Sequence, residues 1–295
     1  MMERIKVKGE LVKFQNTKGY HLDGILYEAN KSRKTIIHVH GSYGNFYQSY
    51  FVRVFADAYI NAGYNFLSFN LTSHDGFAEG YKNENEFEYV GGSLSDFSNC
   101  VSDIEGAVEF VKEFSDKIII QGHSLGCDRT VEYLLRSSQN FDFVLLAPCD
   151  SFRLQENWLS PQETVENQIE RIQKGFNIIN DFDWLPIKEY GVYSSNEEYI
   201  LPITRKAMLS IMNGAPFKLF NIHKPIDYFI DQNCFIYIGG KDNLQTEKPK
   251  TMFDFFRKRI KTVEPCLIAE GDHMMTNYEE EVASKVVNWL RHLKY

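Results

Sequence analysis

The sequence lacks the long apolar runs and basic clusters that mark membrane and nucleic-acid-binding proteins. No apolar stretch among its 295 residues is long enough to span a bilayer, and the opening residues MMERIKVKGELVKF contain no signal-peptide-like apolar core. The net charge is −8, which disfavours nucleic acid as the main partner. These absences predict a cytoplasmic protein that neither spans a membrane nor binds nucleic acid.

Cysteine is sparse, and the cysteines present are scattered. There are 5 of them, an odd number, and no two have C-x-x-C spacing. Such a set is not expected to form a disulfide framework or a zinc site. The histidines are equally dispersed, with no H-E-x-x-H motif. The sequence therefore predicts reduced thiols, no metal and no cofactor.

Most of the chain alternates short apolar segments with segments of helical periodicity. An entry hairpin is predicted over residues 4–28 and a polar loop over 72–80. Further strands are predicted at 35–40, 64–70, 118–120, 141–146, 234–238 and 264–269. Helices are predicted at 48–62, 95–114, 128–135, 249–259 and 279–293. Strands that alternate with helices form a mostly parallel sheet covered on both faces, so the predicted fold class is α/β.

One segment, residues 151–224, breaks this alternation. It is amphipathic and rich in aromatic residues, with no strand–helix rhythm. Because it follows the end of a predicted strand, it is expected to lie over the sheet edge at which ligands bind. We therefore predict a core domain made of residues 1–150 and 225–295, with residues 151–224 inserted as a helical lid.

The middle of the chain carries the motif Gly-His-Ser-Leu-Gly, from Gly122 to Gly126, between an apolar strand and a helix. A G-x-S-x-G motif in this context places its serine on a sharp, strained turn, with glycines two residues away on each side to avoid collisions. The Ser124 hydroxyl is then exposed at the end of the strand, and the backbone N–H of Leu125 points toward the same space. The motif predicts that Ser124 is a nucleophile.

Other polar residues also follow predicted strands, in the chain order Ser124, Asp242, His273. This order, with His38-Val39-His40-Gly41, Gly239-Gly240-Lys241-Asp242 and Gly271-Asp272-His273, resembles the α/β-hydrolase superfamily over nearly the whole chain. The resemblance implies an α/β-hydrolase fold and a catalytic triad. Ser124 would be the nucleophile, His273 the general base and then acid, and Asp242 the carboxylate that orients it.

The resemblance also implies an oxyanion hole. In this superfamily the hole uses the N–H after the nucleophile and one from the loop after the first parallel strand. By match to the His-Gly-x pattern, these are the N–H groups of Leu125 and Ser42, with Tyr43 as the less favoured alternative to Ser42. Donors of this kind stabilise the charge of a tetrahedral intermediate by about 2.7–4 kcal/mol each.

Several nearby residues have competing interpretations. Asp150 is the main rival to Asp242, because some hydrolases take their acid from the strand after the nucleophile, while Asp272 is a weaker one. Tyr43 and His74 are candidate substrate contacts, although a loop hydrogen bond with Asp75 also accounts for His74. The remaining histidines are predicted to be structural: His38, His40 and His123.

The predicted reaction is cleavage of a carboxylic ester. His40-Gly41-Ser42-Tyr43-Gly44-Asn45 resembles the His-Gly-x-x-Gly-Asn of cinnamoyl and feruloyl esterases, and the sequence around Ser124 is similar to fungal siderophore esterases. The expected partner is a small-molecule ester or acyl compound, and a homodimer is compatible with the sequence. An amidase, peptidase or thioesterase with the same triad stays open, as does a non-catalytic hydrolase-like binding protein.

Overall fold

The computed structural model describes residues 9–159, 161–174 and 202–293. Within these residues the strands are β1 (Glu10–Gln15), β2 (His21–Tyr27), β3 (Lys34–Val39), β4 (Asn65–Phe69), β5 (Ala78–Asn83), β6 (Glu86–Val90), β7 (Lys117–His123), β8 (Asp142–Leu146), β9 (Ile230–Gly239) and β10 (Ile260–Ile268). The helices are α1 (Tyr50–Asn61), α2 (Asn99–Lys112), α3 (Leu125–Arg136), α4 (Ser151–Trp158), α5 (Val165–Lys174), α6 (Arg205–Met212), α7 (Pro249–Arg257) and α8 (Glu279–His292), with a short 3₁₀ helix at Ala215–Phe217.

Eight of the strands form one sheet in the order β1-β2-β4-β3-β7-β8-β9-β10. β1 and β2 pair antiparallel, as the predicted entry hairpin requires, and β2 also pairs antiparallel with β4. The pairings from β4 through β10 are all parallel. The predicted α/β class with a mostly parallel sheet is therefore confirmed.

Apolar side chains cover both faces of the sheet because the central strands carry them at consecutive positions. Ile36 and Ile37 of β3 are both fully buried but lie in different core clusters, and Ile119 and Ile120 of β7 do the same. One cluster includes residues of α2, α3 and α7, and the other includes residues of α1 and α8. Each buried side chain of this size contributes about 1.5–3 kcal/mol relative to exposure, so both helical layers are held firmly against the strands.

Two local predictions are wrong. The loop predicted at residues 72–80 gives way to a strand at Ala78, which pairs antiparallel with β6 in a hairpin. Most of this hairpin is exposed, although the sequence of β6, Glu86-Phe87-Glu88-Tyr89-Val90, alternates charged and aromatic residues as a strand does. The helix predicted to start at residue 95 begins at Asn99 instead. The chain before it is a turn in which the Ser95 hydroxyl donates to the Thr72 carbonyl.

Only part of the predicted lid lies within the described residues. α4, α5, α6 and the 3₁₀ helix belong to it, and Phe152 of α4 packs against Phe217 with 5.8 Å between the ring centroids. Six of its aromatic residues lie outside the described ranges: Phe176, Phe182, Trp184, Tyr190, Tyr193 and Tyr199. Among the described helices, none combines the length and apolar character needed to cross a membrane.

Candidate active site

Ser124 lies in a strained turn between β7 and α3. Its backbone angles are φ 55° and ψ −128°, in a region that non-glycine residues rarely adopt. A Cβ added to Gly122 would overlap the Gly126 carbonyl, and one added to Gly126 would overlap the Val39 carbonyl. Both glycines are therefore required for the close approach of α3 to β7 and β3, as the sequence predicts.

Backbone hydrogen bonds hold this turn in place. The Ser124 N–H donates to the Leu146 carbonyl of β8 at 2.9 Å, and the Cys127 N–H donates to the Ser124 carbonyl at 2.8 Å. A strained residue costs on the order of 1–3 kcal/mol and persists where its surroundings fix it. Here the surroundings are the centre of the sheet, so the serine is presented rigidly at the strand end.

His273 and Asp242 are brought together at the ends of β10 and β9. His273 Nδ1 lies 2.9 Å from Asp242 Oδ2. The same carboxylate accepts the Leu244 N–H at 2.9 Å and the Gln245 side-chain amide at 3.3 Å. The hydrogen bond to this carboxylate places a proton on Nδ1 of His273 and leaves Nε2 as the basic nitrogen of the neutral ring.

Ser124 and His273 line one cavity of about 450 Å³. Its other lining residues include the predicted oxyanion donors Ser42 and Leu125 and the predicted substrate contact Tyr43. Within the described part of the chain, the Ser124 hydroxyl and the His273 imidazole share no hydrogen bond. Catalytic hydrogen bonds are often long without substrate and tighten when it binds, so the arrangement is compatible with a nucleophile and its base.

The loop from Gly41 to Gly44, here called the oxyanion loop, approaches Ser124 closely. A Cβ on Gly41 would lie 2.9 Å from Ser124 Cβ, so only glycine fits there. The next two residues are Ser42 and Tyr43, and Tyr43 has a left-handed backbone with φ 52°. Leu125 is the first residue of α3, where the N–H groups of the first turn have no acceptor within the helix. Both predicted donors thus border the cavity.

His123 has a more specific place than the packing role that its sequence predicts. Its Nε2 lies 2.9 Å from the His273 carbonyl, and its ring centroid is 5.1 Å from that of His273. Burial, followed by the nearby His273, holds the pKa of His123 well below its usual value, so the ring is neutral. A neutral His123 donates from Nε2 to the loop that carries His273.

The two rival carboxylates have other partners. Asp150 caps α4 by accepting the Arg153 N–H at 2.9 Å, and it also accepts the Ile222 N–H at 2.9 Å. Asp272 accepts the N–H groups of Met274 and Thr276 at 3.0 and 2.8 Å. Both acids therefore organise the chain around the cavity, and the geometry favours Asp242 as the partner of His273.

His74 is the predicted site residue that lies apart from the others. Its Nδ1 is 2.6 Å from Asp75 Oδ2, which is the loop hydrogen bond that the sequence analysis gave as the alternative to substrate contact. It lines a separate cavity of about 40 Å³ with Tyr20 and Thr72 among its walls, and it does not line the cavity of Ser124. Its contact with substrate stays a prediction.

Cys149, Asp242 and His273 form a group of potential metal ligands among the described residues, with ligand atoms within 4.8 Å of one another. Two of the three already form the hydrogen-bonded pair. Burial, aided by the charge of Asp242, raises the pKa of the Cys149 thiol well above its ordinary value. The protonated thiol is a poor ligand, and the expectation of no metal stays a prediction.

Comparison with protein-family models gives no match, and comparison with curated proteins gives none either. Solved structures do match. An esterase from Pyrococcus furiosus is 18% identical, with a TM-score of 0.61 over 96% of this chain and 90% of that one. A siderophore hydrolase from Aspergillus fumigatus is 15% identical, with a TM-score of 0.66 over 96% and 98%. An esterase from Butyrivibrio proteoclasticus with ferulic acid bound is 14% identical, with a TM-score of 0.61 over 94% and 97%.

These likenesses extend over nearly the whole of this chain. The chain therefore has the α/β-hydrolase fold, which confirms the resemblance drawn from its sequence. At such low identities the likeness speaks for the fold alone. One fold carries many activities, so the activity has to be argued from the site.

Proposed function

We propose that this protein is a serine hydrolase that cleaves a carboxylic ester through an acyl-enzyme on Ser124. The observation that carries the proposal is the cavity shared by the strained Ser124 and by His273, whose Nδ1 is 2.9 Å from Asp242 Oδ2. A serine hydroxyl is a weak nucleophile until an oriented base removes its proton. These three residues supply the nucleophile, the base and the group that orients the base.

In the proposed reaction, His273 Nε2 takes the Ser124 hydroxyl proton as Oγ attacks the ester carbonyl. The tetrahedral intermediate collapses, the bond to the leaving alcohol breaks, and imidazolium gives its proton to that oxygen. A water molecule then attacks the acyl-enzyme, with His273 again as base, and releases the acid and free Ser124. Asp242 stays ionised throughout and stabilises the imidazolium.

The negative charge of each tetrahedral intermediate would be stabilised by the N–H groups of Ser42 and Leu125. Both residues line the cavity beside Ser124, on the oxyanion loop and at the first position of α3. A donor of this type contributes about 2.7–4 kcal/mol to transition-state stabilisation. The helix dipole of α3 adds a favourable field at the same place.

The substrate we propose is a small-molecule ester. A cavity of about 450 Å³ lies in the range that small ligands occupy. Its apolar lining suits an acyl chain or ring: Leu125, Leu154, Leu244 and Met274. The structural neighbours called esterases and hydrolases agree with this class. Ser151 and Leu154 of α4 line the cavity too, which supports the proposal that residues 151–224 cover it as a lid.

A panel of p-nitrophenyl acyl esters of increasing chain length, with matched thioesters and anilides, tests the proposal. We expect turnover of the esters, with an initial burst of p-nitrophenol that corresponds to acylation of one serine per chain. A preference for the thioesters or anilides would show that the enzyme is a thioesterase or an amidase that uses the same acyl-enzyme mechanism. Absence of turnover and burst on every member would reject the hydrolase proposal in favour of a binding protein.

A further inference from the structure

Arg129 is a buried cation directly beneath the oxyanion loop. It lies on α3 and is 3% exposed. Its Nη1 donates to the His40 carbonyl at 2.8 Å and to the Gly41 carbonyl at 3.0 Å. Removing a guanidinium from water is costly unless its hydrogen bonds are satisfied, and here backbone carbonyls beside the candidate site take part in satisfying them.

The Gly41 carbonyl belongs to the same peptide group as the Ser42 N–H. A peptide group is planar and trans, so its C=O and N–H point in opposite directions. A donor that holds the Gly41 oxygen down toward α3 therefore directs the Ser42 N–H up toward the cavity that Ser124 lines. The hydrogen bond from Arg129 to the Gly41 carbonyl thus fixes the direction of the Ser42 N–H, the proposed oxyanion donor, at the other end of the same peptide group.

Arg129 shares the Gly41 oxygen with two donors from within the loop. The Gly44 N–H donates to it at 3.2 Å and the His40 ring contacts it through Nδ1 at 2.9 Å. His40 Nε2 accepts the Leu71 N–H at 3.2 Å, so the proton of the neutral ring is on Nδ1 and is donated to Gly41. Burial, followed by the charge of Arg129, keeps the pKa of His40 well below its usual value.

Arg129 differs from these two donors because it comes from α3, the helix that begins at Leu125. Leu125 is the other proposed oxyanion donor, and it lies one helical turn before Arg129. The guanidinium therefore ties the loop that carries one donor to the helix that carries the other. Its charge also polarises the Gly41–Ser42 peptide, which makes the Ser42 N–H a stronger donor.

We propose that Arg129 is a positioning residue of the oxyanion hole, which fixes the Gly41–Ser42 peptide and the spacing between the Ser42 and Leu125 N–H groups. This inference rests on the proposed function for its kinetic effect. The part that concerns structure, namely that hydrogen bonds from Arg129 fix the orientation of the Gly41–Ser42 peptide, does not depend on activity. Arginine suits the role better than lysine because Nη1, which makes both bonds, is held in a fixed orientation by the planar guanidinium, whereas a lysine ammonium rotates freely.

The test compares Arg129→Met and Arg129→Lys with Arg259→Met. Arg259 is a matched control because it is also a buried arginine that donates to a backbone carbonyl, that of Phe255 at 3.2 Å. Phe255 does not line the cavity, whereas Gly41, the partner of Arg129, does. Rates are expressed per active site titrated with p-nitrophenyl ester, so partial unfolding does not count as loss of catalysis. The best ester of the panel is the substrate, and an alkylboronic acid serves as the tetrahedral analogue.

For Arg129→Met we expect kcat to fall about 10- to 100-fold, with KM changed less than about threefold. This loss is smaller than the roughly 10²- to 10³-fold loss in kcat that follows removal of a whole oxyanion donor, because the Ser42 N–H is displaced and not removed. Affinity for the boronic acid should fall by the same factor as kcat. Arg129→Lys should be intermediate, and Arg259→Met should keep kcat within about twofold. Should Arg129→Met fail to fold, the Lys variant provides both measurements.

A kcat for Arg129→Met within about threefold of wild type would overturn the proposal. Equal weakening of the boronic acid and of a planar ester analogue would also overturn it, because that pattern indicates a misshapen cavity. Crystal structures of wild type and variant give the second readout: we expect the Gly41–Ser42 peptide to rotate or the loop to move off α3. An unchanged peptide would refute the inference even if the wild type proved inactive, an outcome that separately rejects the proposed function.

Discussion

Two parts of the protein line the cavity, and they offer different chemistry. The C-terminal edge of the sheet supplies Ser124, His273 and the oxyanion loop, whereas α4 of the inserted segment supplies Ser151 and the apolar Leu154. The sheet edge is fixed by backbone contacts so close that Gly126 admits no side chain. Under the proposed function, we expect the sheet edge to determine the reaction and α4 to help determine which acyl group fits.

The largest expected effect comes from removing the nucleophile at the sheet edge. Ser124→Ala should lower kcat on the best ester at least about 10⁴-fold, because no other group can form the acyl-enzyme. Steady-state hydrolysis and thermal unfolding are measured on the same preparation. The melting temperature should not fall, since the substitution removes only the hydroxyl oxygen and leaves the packing around Cβ unchanged.

Ser151→Ala is the matched control, because Ser151 lines the same cavity from α4. It should keep kcat within about tenfold of wild type. If the two serine variants lost activity equally, the division of roles between sheet edge and α4 would be wrong.

The next effect distinguishes the two candidate acids. Asp242→Asn should lower kcat about 10³- to 10⁴-fold, because the amide carries no charge and its N–H can donate to Nδ1 of His273, which favours the wrong tautomer. Asp150→Asn can still cap α4 through its one oxygen but cannot also accept the Ile222 N–H, so it should affect mainly stability, by about 1–3 kcal/mol. Steady-state rates and urea unfolding of both variants check this, and the reverse ranking in kcat would assign the acid to Asp150.

A smaller effect is expected when the pH is lowered, because β3, the strand that leads to the oxyanion loop, contains a buried histidine. His38 of β3 is fully buried, which lowers its pKa from 6.5 to about 3. At a pH between these two pKa values, His38 is protonated in the unfolded chain and neutral in the folded protein. Its contribution to the free energy of unfolding is therefore complete above pH 6.5 and is lost as the pH falls toward 3. At about pH 5, His38 alone should cost about 2 kcal/mol.

Urea unfolding of wild type and His38→Gln at about pH 7 and about pH 5 measures this contribution. The variant should lose less stability than wild type over the interval, by about the same 2 kcal/mol. Equal losses in the two proteins would mean that His38 is not held neutral in the fold.

The smallest effect concerns selection of the acyl group. Leu154→Ala should shift the optimum of the ester panel toward longer chains, with relative kcat/KM changed about 10-fold, since one or a few methylenes in an apolar pocket are worth about 1–3 kcal/mol. Met274→Ala, on the sheet-edge side of the cavity, is the comparison variant. An unchanged chain-length profile for Leu154→Ala would show that α4 has no part in selectivity.

Sequence reasoning did well where local sterics decide the structure. The turn at Ser124 follows from Gly122 and Gly126 around a serine between strand and helix, and the structure has the positive φ that this pattern requires. The placing of Asp242 and His273 near one another follows from a rule of parallel sheets, that residues after strand ends share one edge. Their roles in catalysis stay predictions.

Contacts between distant segments were harder to predict. The hold of Arg129 on Gly41 joins residues 88 positions apart, and nothing in the sequence near Arg129 distinguishes it from a surface arginine of a helix. The β5–β6 hairpin was not predicted: β5 has no apolar alternation, and the alternation of charged and aromatic residues in β6 was the signal that could have revealed the second strand. His74 lines a cavity separate from that of Ser124, and its contact with substrate stays a prediction.

The central claim is that Ser124 is an activated nucleophile, and fluorophosphonate labelling of the folded protein tests it most directly. Intact-mass measurement and peptide mapping should find one adduct per chain, on Ser124, with none formed on urea-unfolded protein, because activation depends on the folded site. An adduct on another residue, or no adduct on folded protein, would contradict the account.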